Sequence, residues 1–376
     1  MKILLVSSQD YIHHPVPSRH HYIFERLAKQ HEIHVAHFHV SNNNDRVTLL
    51  IPKDVTMFNI KSPFLHYTLN APYHFYKFDT LLKYGDYDAV VVANVLAGTA
   101  AIRAANKYKV PVVFDLKDWF PDSAAMYIGN PILKEIVRAS VLEVTKYNLT
   151  HSDKIVTVSP SLVNKLKLFG FKSDLITNGV DTSLFKLLPK MNIPGININD
   201  FVIGFSGSVE KWYGLDCMIG CMPRILLCYP NVKLLIVGGS LFTNYEKELK
   251  QLAKDIGVSN NVIFTGLKSY NDLPKYIACM DMCAIPLIPE KWRNIALPNK
   301  FFEYTACGKS IITTHIPDME EIGTDNLYVC KNRKDYMYYI GEMIRNGTKQ
   351  IDIDHKEFDW SKRAEEFEKI LESVVK

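Results

Sequence analysis

A chain of 376 residues, 47% hydrophobic and 22% charged, is long enough for two cores of ordinary size and too mixed for a disordered chain, a collagen or a membrane bundle. Lys and Arg number 44 against 40 Asp and Glu, an excess too small for the footprint of a nucleic-acid binder. That excess sits in residues 1–185, which hold 20 basic and 16 acidic side chains and 11 of the 13 histidines, while the remainder balances at 24 of each charge. A mildly basic half suits either an anionic or membrane-surface acceptor or a solvated face with scattered lysines.

The opening Met1-Lys-Ile-Leu-Leu-Val-Ser-Ser8 lacks the length and cleavage site of a secretory signal and reads as a first buried strand. Strands are expected again at 34–38, 89–93, 110–114 and 154–158, with helices between them. Ile23, Leu27 and Ala28 mark a helix over 22–30, and Ile136, Val137, Val141 and Val144 give an apolar stripe to one over 132–147. Apolar strands alternating with helices imply a parallel sheet covered on both faces. The most apolar stretch, 89–102, is broken by Asn94 and Thr99 and falls short of the ~20 residues a spanning helix needs.

After a Pro- and Asn-rich loop over 186–200 the pattern restarts, with strands expected at 201–206, 232–237, 262–264, 282–285 and 310–314. The fold expected is therefore α/β, with two doubly wound Rossmann-like domains facing an interdomain cleft. Residues 1–185 are expected to form the first domain and 186–355 the second. The last stretch, 356–376, is a helix with Ala364, Phe367, Ile370 and Leu371 on one stripe, packing back on the first domain. All seven cysteines lie in the second half without a C-x-x-C pair and read as reduced core residues of a cytoplasmic protein.

Chemistry concentrates in a few segments. Strand 201–206 runs into Gly207-Ser-Val-Glu-Lys-Trp-Tyr-Gly214 and a helix start; the small residues Gly207 and Ser208 let backbone N–H groups approach a diphosphate, and Lys211 adds a full charge. A tight turn common to any doubly wound domain reads the same way. In Leu297-Pro-Asn-Lys-Phe-Phe-Glu-Tyr-Thr-Ala-Cys-Gly308, Pro298 opens a helix that Gly308 ends, bringing Lys300 and Glu303 onto neighbouring faces beside Asn299. There the ammonium suits phosphate oxygens and the carboxylate suits ribose hydroxyls; the alternative is a plain surface pair. The triplets Asp86-Tyr-Asp88 and Asp352-Ile-Asp354 lie in turns away from strand carboxyl ends. Adjacent His20 and His21 point apart on a helix, so no metal site is expected.

The segment Pro298-Asn-Lys-Phe-Phe-Glu-Tyr-x-Ala-x-Gly-Lys309 resembles the donor site of the GT-B glycosyltransferases, in particular glycosyltransferase family 4. Thr177-Asn-Gly-Val-Asp181, Leu234-Leu-Ile-Val-Gly-Gly239, Val262-Ile-Phe-Thr-Gly266, Leu273-Pro274 and the stretch from Asp281 to Pro286 follow in the family's order. The resemblance matches Glu303 to the ribose-binding second glutamate of a Glu-x7-Glu motif, with Ile295 in place of the first. Asp115-Leu-Lys-Asp-Trp-Phe-Pro-Asp122 resembles the family's His/Arg-Asp-x-Trp-Pro, with Lys117 and Asp118 as catalytic or acceptor-side candidates and Trp119 either a sugar platform or a packed aromatic. Arg19 and His20 stand near a helix start on the acceptor side.

What the resemblance implies is a hexosyltransferase-like, retaining, metal-independent glycosyltransferase of polysaccharide, glycolipid or glycan assembly. Its donor substrate is a nucleotide diphosphate sugar and it needs no cofactor. The acceptor is a glycan or lipid-linked hydroxyl, met in the cytoplasm or at the inner face of the membrane. Lys211 helps the diphosphate leave, a diphosphate oxygen serves as base, and Asp118 is the alternative base. A GT-B sugar-nucleotide epimerase would share the donor site, and a non-catalytic partner subunit fits the missing first glutamate. An NAD-dependent oxidoreductase lacks its G-x-G-x-x-G after the first strand.

Overall fold

Most of the apolar runs read above as strands are buried along nearly all their length, as strands covered by helices on both faces must be, while the edge run at 262–264 is buried only at Val262. The computed structural model describes residues 1–7, 10–13, 16–38, 50–60, 71–125, 128–241, 243–288, 297–322, 324–348 and 355–375. Two units result: Met1–Asn178 with Trp360–Lys376, and Gly179–Asp359.

The first unit carries β1 (Lys2–Val6), β2 (Glu32–Phe38), β3 (Thr56–Ile60), β4 (Ala89–Val92), β5 (Val112–Leu116), β6 (Lys154–Thr157) and β7 (Asp174–Leu175). They form one parallel sheet in the order β3-β2-β1-β4-β5-β6-β7. Its helices are α1 (Arg19–Leu27), α2 (Ala71–Gly85), α3 (Gly98–Tyr108), α4 (Phe120–Ala124), α5 (Pro131–Thr150) and α6 (Pro160–Leu168). Pro111 has no N–H to give the ladder, so β5 starts one residue after it, later than the apolar run suggests; this draws Asp115 into the strand.

The apolar stripe expected on α5 is half right. Val141, Thr145, Asn148 and Leu149 are buried, yet Ile132 (74% exposed) and Ile136 (56% exposed) face solvent. Strands β3 and β7, at the sheet edges, are too short or too polar to have been anticipated.

The second unit contains β8 (Phe201–Ser206), α7 (Leu215–Cys228), β9 (Val232–Val237), α8 (Tyr245–Asp255), β10 (Val262–Phe264), α9 (Leu273–Ala278), β11 (Met282–Ile285) and α10 (Asn299–Ala306). Then come β12 (Ser310–Thr314), α11 (Pro317–Ile322), the unanticipated edge strand β13 (Leu327–Cys330) and α12 (Arg333–Asn346). The sheet order β10-β9-β8-β11-β12-β13 is parallel throughout and reverses direction between β8 and β11, the switch point at whose carboxyl ends doubly wound domains bind ligands. One core lies between the sheet and α7, α8 and α12, another under α9, α10 and α11. Five of the cysteines, Cys221, Cys279, Cys283, Cys307 and Cys330, are buried, but Cys217 is half-buried and Cys228 is exposed, contrary to the expectation of core residues throughout.

The last helix, α13 (Trp360–Val374), belongs to the first unit. Trp360 stacks on Tyr22 with ring centroids 5.1 Å apart, and Phe367 meets Phe24 edge-on at 5.3 Å. The preceding Phe358 packs instead on Phe302 of the second unit, so the chain changes core between these neighbours. Among the described residues no helix is long and apolar enough to cross a membrane.

Candidate functional site

In the second unit the backbone crowds at the carboxyl ends of β8 and β9. Gly207 (φ +134°) and Gly238 (φ +132°) lie so close that a Cβ on Gly238 would run into the Gly207 carbonyl, and neither φ suits a side chain. Above Gly207 stands Lys300, whose Nζ lies 2.5 Å from where a Gly207 Cβ would be. The Lys300 ammonium donates to the Tyr213 hydroxyl at 2.9 Å and sits 4.1 Å from the centroid of that ring and 5.2 Å from the Phe205 centroid. Burial alone would push the Tyr213 phenol up, but the Lys300 charge, with help from Ser208 and Trp212, holds it below its usual range and makes it a stronger donor.

One turn along α10, Glu303 is buried and its Oε1 accepts a 2.9 Å hydrogen bond from Tyr270. Burial raises its carboxyl, with Lys300 and Tyr270 pulling the other way. The helix is pinned to the sheet by the Tyr304 hydroxyl, which accepts from the Ser206 backbone N–H at 2.8 Å. Pro298 is the N-cap and the helix starts at Asn299, one place after the expected start, while Gly308 (φ +65°) follows the last turn. Asn299 lies at the helix start and is exposed.

Lys211 is not brought to it. A three-residue 3-10 turn over Lys211–Tyr213 separates successive side chains by about 120°, so Tyr213 turns inward while Lys211 turns out. Its ammonium, 63% exposed, pairs with Glu248 of α8 at 3.0 Å. The cation over the glycine turn is thus Lys300, and Tyr213 and Tyr270 are site residues that the sequence reading missed. Neither aromatic carries a signal of its own, because each meets α10 only through the fold. Ile295, His14 and the Asp352-Ile-Asp354 triplet lie outside the described residues.

The first unit gathers a second cluster around Asp115. Arg19 Nε lies 3.1 Å and His20 Nε2 2.8 Å from Asp115 Oδ2, all three side chains being buried. Burial pushes the Asp115 carboxyl up, but Arg19, His20 and Lys117 outweigh it and hold it below the usual range. His20 is pulled below its usual value, chiefly by burial. Arg19 also donates to the Ile176 carbonyl at 3.0 Å and to Asn178 at 3.3 Å, tying α1 to the Thr177–Asp181 motif.

His21 points elsewhere, accepting from the Ser18 N–H on Nδ1 and donating from Nε2 to the Tyr11 carbonyl at 2.8 Å. Asp86 and Asp88 make a turn in which Asp88 accepts from the Lys2 N–H at 2.6 Å. Among the described residues no group of three or more His, Cys, Asp or Glu side chains could hold a metal ion.

Beside Asp115, a cavity of about 220 Å³ is lined by Asn94, Asp115, Lys117, Asp118 and neighbouring apolar residues. Trp119 is not part of it. That ring is 5% exposed, stacked on Phe169 at 5.4 Å and covered by the Lys165 ammonium at 4.3 Å, so it is a packed aromatic and offers no sugar a face.

Residues 200–346 match the family described as Glycosyl transferases group 1, and residues 20–184 match Glycosyltransferase Family 4. An uncharacterized glycosyltransferase of Methanocaldococcus jannaschii, MJ1607, is 28% identical over 182 residues, 46% of this chain and 44% of its own. A D-inositol 3-phosphate glycosyltransferase of Mycobacteroides abscessus is 25% identical over 206 residues, 51% of this chain and 44% of its own. The chain thus spans about half or less of the length of these relatives. The fold is that of Anabaena Alr3699/HepE, solved with UDP, at a TM-score of 0.74 and 18% identity over the whole of both chains. The two matched stretches together take in most of the chain, and it belongs to the GT-B glycosyltransferases of group 1 and family 4.

Proposed function

We propose that this protein transfers a sugar from a nucleoside diphosphate sugar to an acceptor hydroxyl, with the donor bound in the second unit. The observation that carries this reading is the pairing, on one turn of α10, of an ammonium over a bare glycine backbone with a buried carboxylate. Lys300 and Tyr213 offer two donors to a diphosphate, and Glu303, oriented by Tyr270, accepts from the ribose hydroxyls. As the glycosidic bond breaks, charge grows on the leaving diphosphate, and preset donors hold that charge more strongly than they hold the ground state. Departure on the face that the acceptor attacks, with a phosphate oxygen taking the acceptor's proton, gives retention without a metal. UDP bound to the Anabaena protein supports the donor class.

The acceptor, a glycan or lipid-linked hydroxyl, meets the cavity of Asn94, Lys117 and Asp118, where Asp118 is the alternative base. Exposed Ile132, Leu133 and Ile136, interleaved with Lys134 and Arg138 on α5, support contact with an anionic membrane surface. Replacing Ile132 and Ile136 together by Asp is expected to abolish sedimentation with phosphatidylglycerol vesicles; unchanged sedimentation would remove the membrane from the reading.

The donor site is tested by thermal unfolding against UDP, GDP, ADP, TDP, CMP and NAD. A nucleotide at 100 times its dissociation constant adds ~2.7 kcal/mol, about 5–10 °C for a unit of this size. One nucleoside diphosphate is expected to stabilise the wild type, and Glu303→Ala to weaken it ~10–100-fold through lost charged hydrogen bonds. Stabilisation by none of the diphosphates would overturn the proposal.

A further inference from the structure

On the face of the second sheet opposite α10 lies a cavity of about 260 Å³ that the donor site does not use. Its walls are mostly apolar, built by Ile203 of β8, by Met218, Met222 and Ile225 of α7, and by Ile340 of α12. Two polar lining groups are already engaged, Asp216 accepting from the Tyr245 hydroxyl at 2.8 Å and Thr314 donating to the Leu287 carbonyl at 2.8 Å. Tyr336 of α12 is buried, its hydroxyl has no hydrogen-bond partner among the described residues, and burial keeps the phenol protonated. A buried hydroxyl left unpaired costs about 1–3 kcal/mol, so a hydrogen-bond acceptor inside the cavity would recover stability.

The cavity also touches the loop that arranges the donor site. Gly214, Pro286 and Ile288 form its rim, and the Ile288 N–H donates to the Trp212 carbonyl at 3.1 Å, next to the Tyr213 that holds Lys300. A Cβ on Gly214 would stand 2.5 Å from the Pro286 carbonyl, so these two loop segments pack with no slack between them.

We infer that this cavity is a binding site for a neutral, mostly apolar small molecule carrying one hydrogen-bond acceptor for Tyr336, and that its occupation shifts the Tyr213–Lys300 pair. A cavity of about 150 Å³ takes a benzene ring, so this one suits a compound of about nine or ten non-hydrogen atoms, an aryl ketone or comparable ester rather than a long acyl chain. Anions are disfavoured by Asp216, and the mostly apolar walls offer few partners to the other hydrogen-bonding groups of a polar metabolite. Binding itself is independent of the function proposed above; only the coupling to the diphosphate site rests on it.

Two probes of equal size separate the contributions. Acetophenone and isopropylbenzene both have nine non-hydrogen atoms, but only the ketone can accept a hydrogen bond. In full-length protein carrying 13C-methyl Met and Ile, acetophenone is expected to shift the Met218, Met222, Ile203 and Ile340 methyl signals and to bind ~2–10-fold more tightly than isopropylbenzene. Tyr336→Phe should erase that difference while leaving isopropylbenzene binding intact, and Met222→Trp should block both. Ile340→Phe serves as the second blocking variant if Met222→Trp does not fold.

Absence of methyl shifts with either probe, or shifts that persist in a folded blocking variant, would overturn the site. Saturating acetophenone is further expected to change nucleoside diphosphate affinity at least ~3-fold, with the reciprocal effect on acetophenone. Methyl shifts with unchanged nucleotide affinity would refute the coupling. Failure of any nucleotide to bind refutes the donor reading instead, and the methyl shifts would still decide the cavity.

Discussion

Lys300→Ala is expected to lower turnover by ~100- to 1,000-fold, the range seen when one preset donor to a developing oxyanion is removed. The size of the effect follows from how Lys300 is held. Its ammonium is half-buried, hydrogen-bonded to Tyr213 and backed by two aromatic faces, so it is already ordered when the substrate arrives. Removing it leaves no full positive charge beside the glycine turn among the described residues, because Lys211 is engaged with Glu248 on the surface. Lys211→Ala should therefore leave turnover within about threefold, in line with the small worth of exposed ion pairs. Steady-state rates of the two variants with the sugar of whichever nucleotide binds decide the matter. Equal losses, or a larger loss for Lys211→Ala, would return the phosphate role to the loop.

Phe367→Ala is expected to destabilise the first unit by ~3–5 kcal/mol, the usual result of emptying a buried aromatic position. Phe367 is fully buried against Phe24 in a core that also holds Ile3, Leu5, Ile23 and Trp360. The cluster around it is apolar, so the surrounding side chains must collapse or leave the cavity empty. Each core cluster of the described residues lies within one unit, so unfolding has no obligation to be two-state, and the nucleotide-stabilised transition offers a marker for the second unit. The variant should lower the nucleotide-independent transition by ~6–20 °C and leave the other in place. A transition that moves by less than a degree or two would mean that α13 contributes nothing of this size.

How much could be read in advance depended on the range of the interactions involved. The α10 segment was legible because its punctuation is local: Pro298 and Gly308 bracket it, and Lys300 and Glu303 are three residues apart on one turn. Tyr213 and Tyr270 were not, since the first meets Lys300 across 87 residues and the second meets Glu303 across 33. Lys211 misled because composition counts a cation in a loop, whereas the tight turn decides which way it faces. At α1 the helix starts at Arg19, ahead of the apolar stripe, because buried Arg19 and His20 behave as core only in the presence of Asp115, 95 residues after His20. On α5 the error ran the other way, apolar Ile132 and Ile136 having the spacing of a core face and no core to meet.

The chain crosses twice between the units, leaving the first at Asn178 and re-entering it at Trp360. A ribosome therefore delivers the second unit whole before it delivers the helix that completes the first. At ~5–20 residues per second, the sheet of the first unit waits on the order of ten seconds or more for α13, with Phe24 and its neighbours uncovered. During that interval the nascent first unit is a natural client for holding chaperones, even though it emerges first. A stop codon near residue 359 would yield a finished second unit fused to a first that cannot close its core.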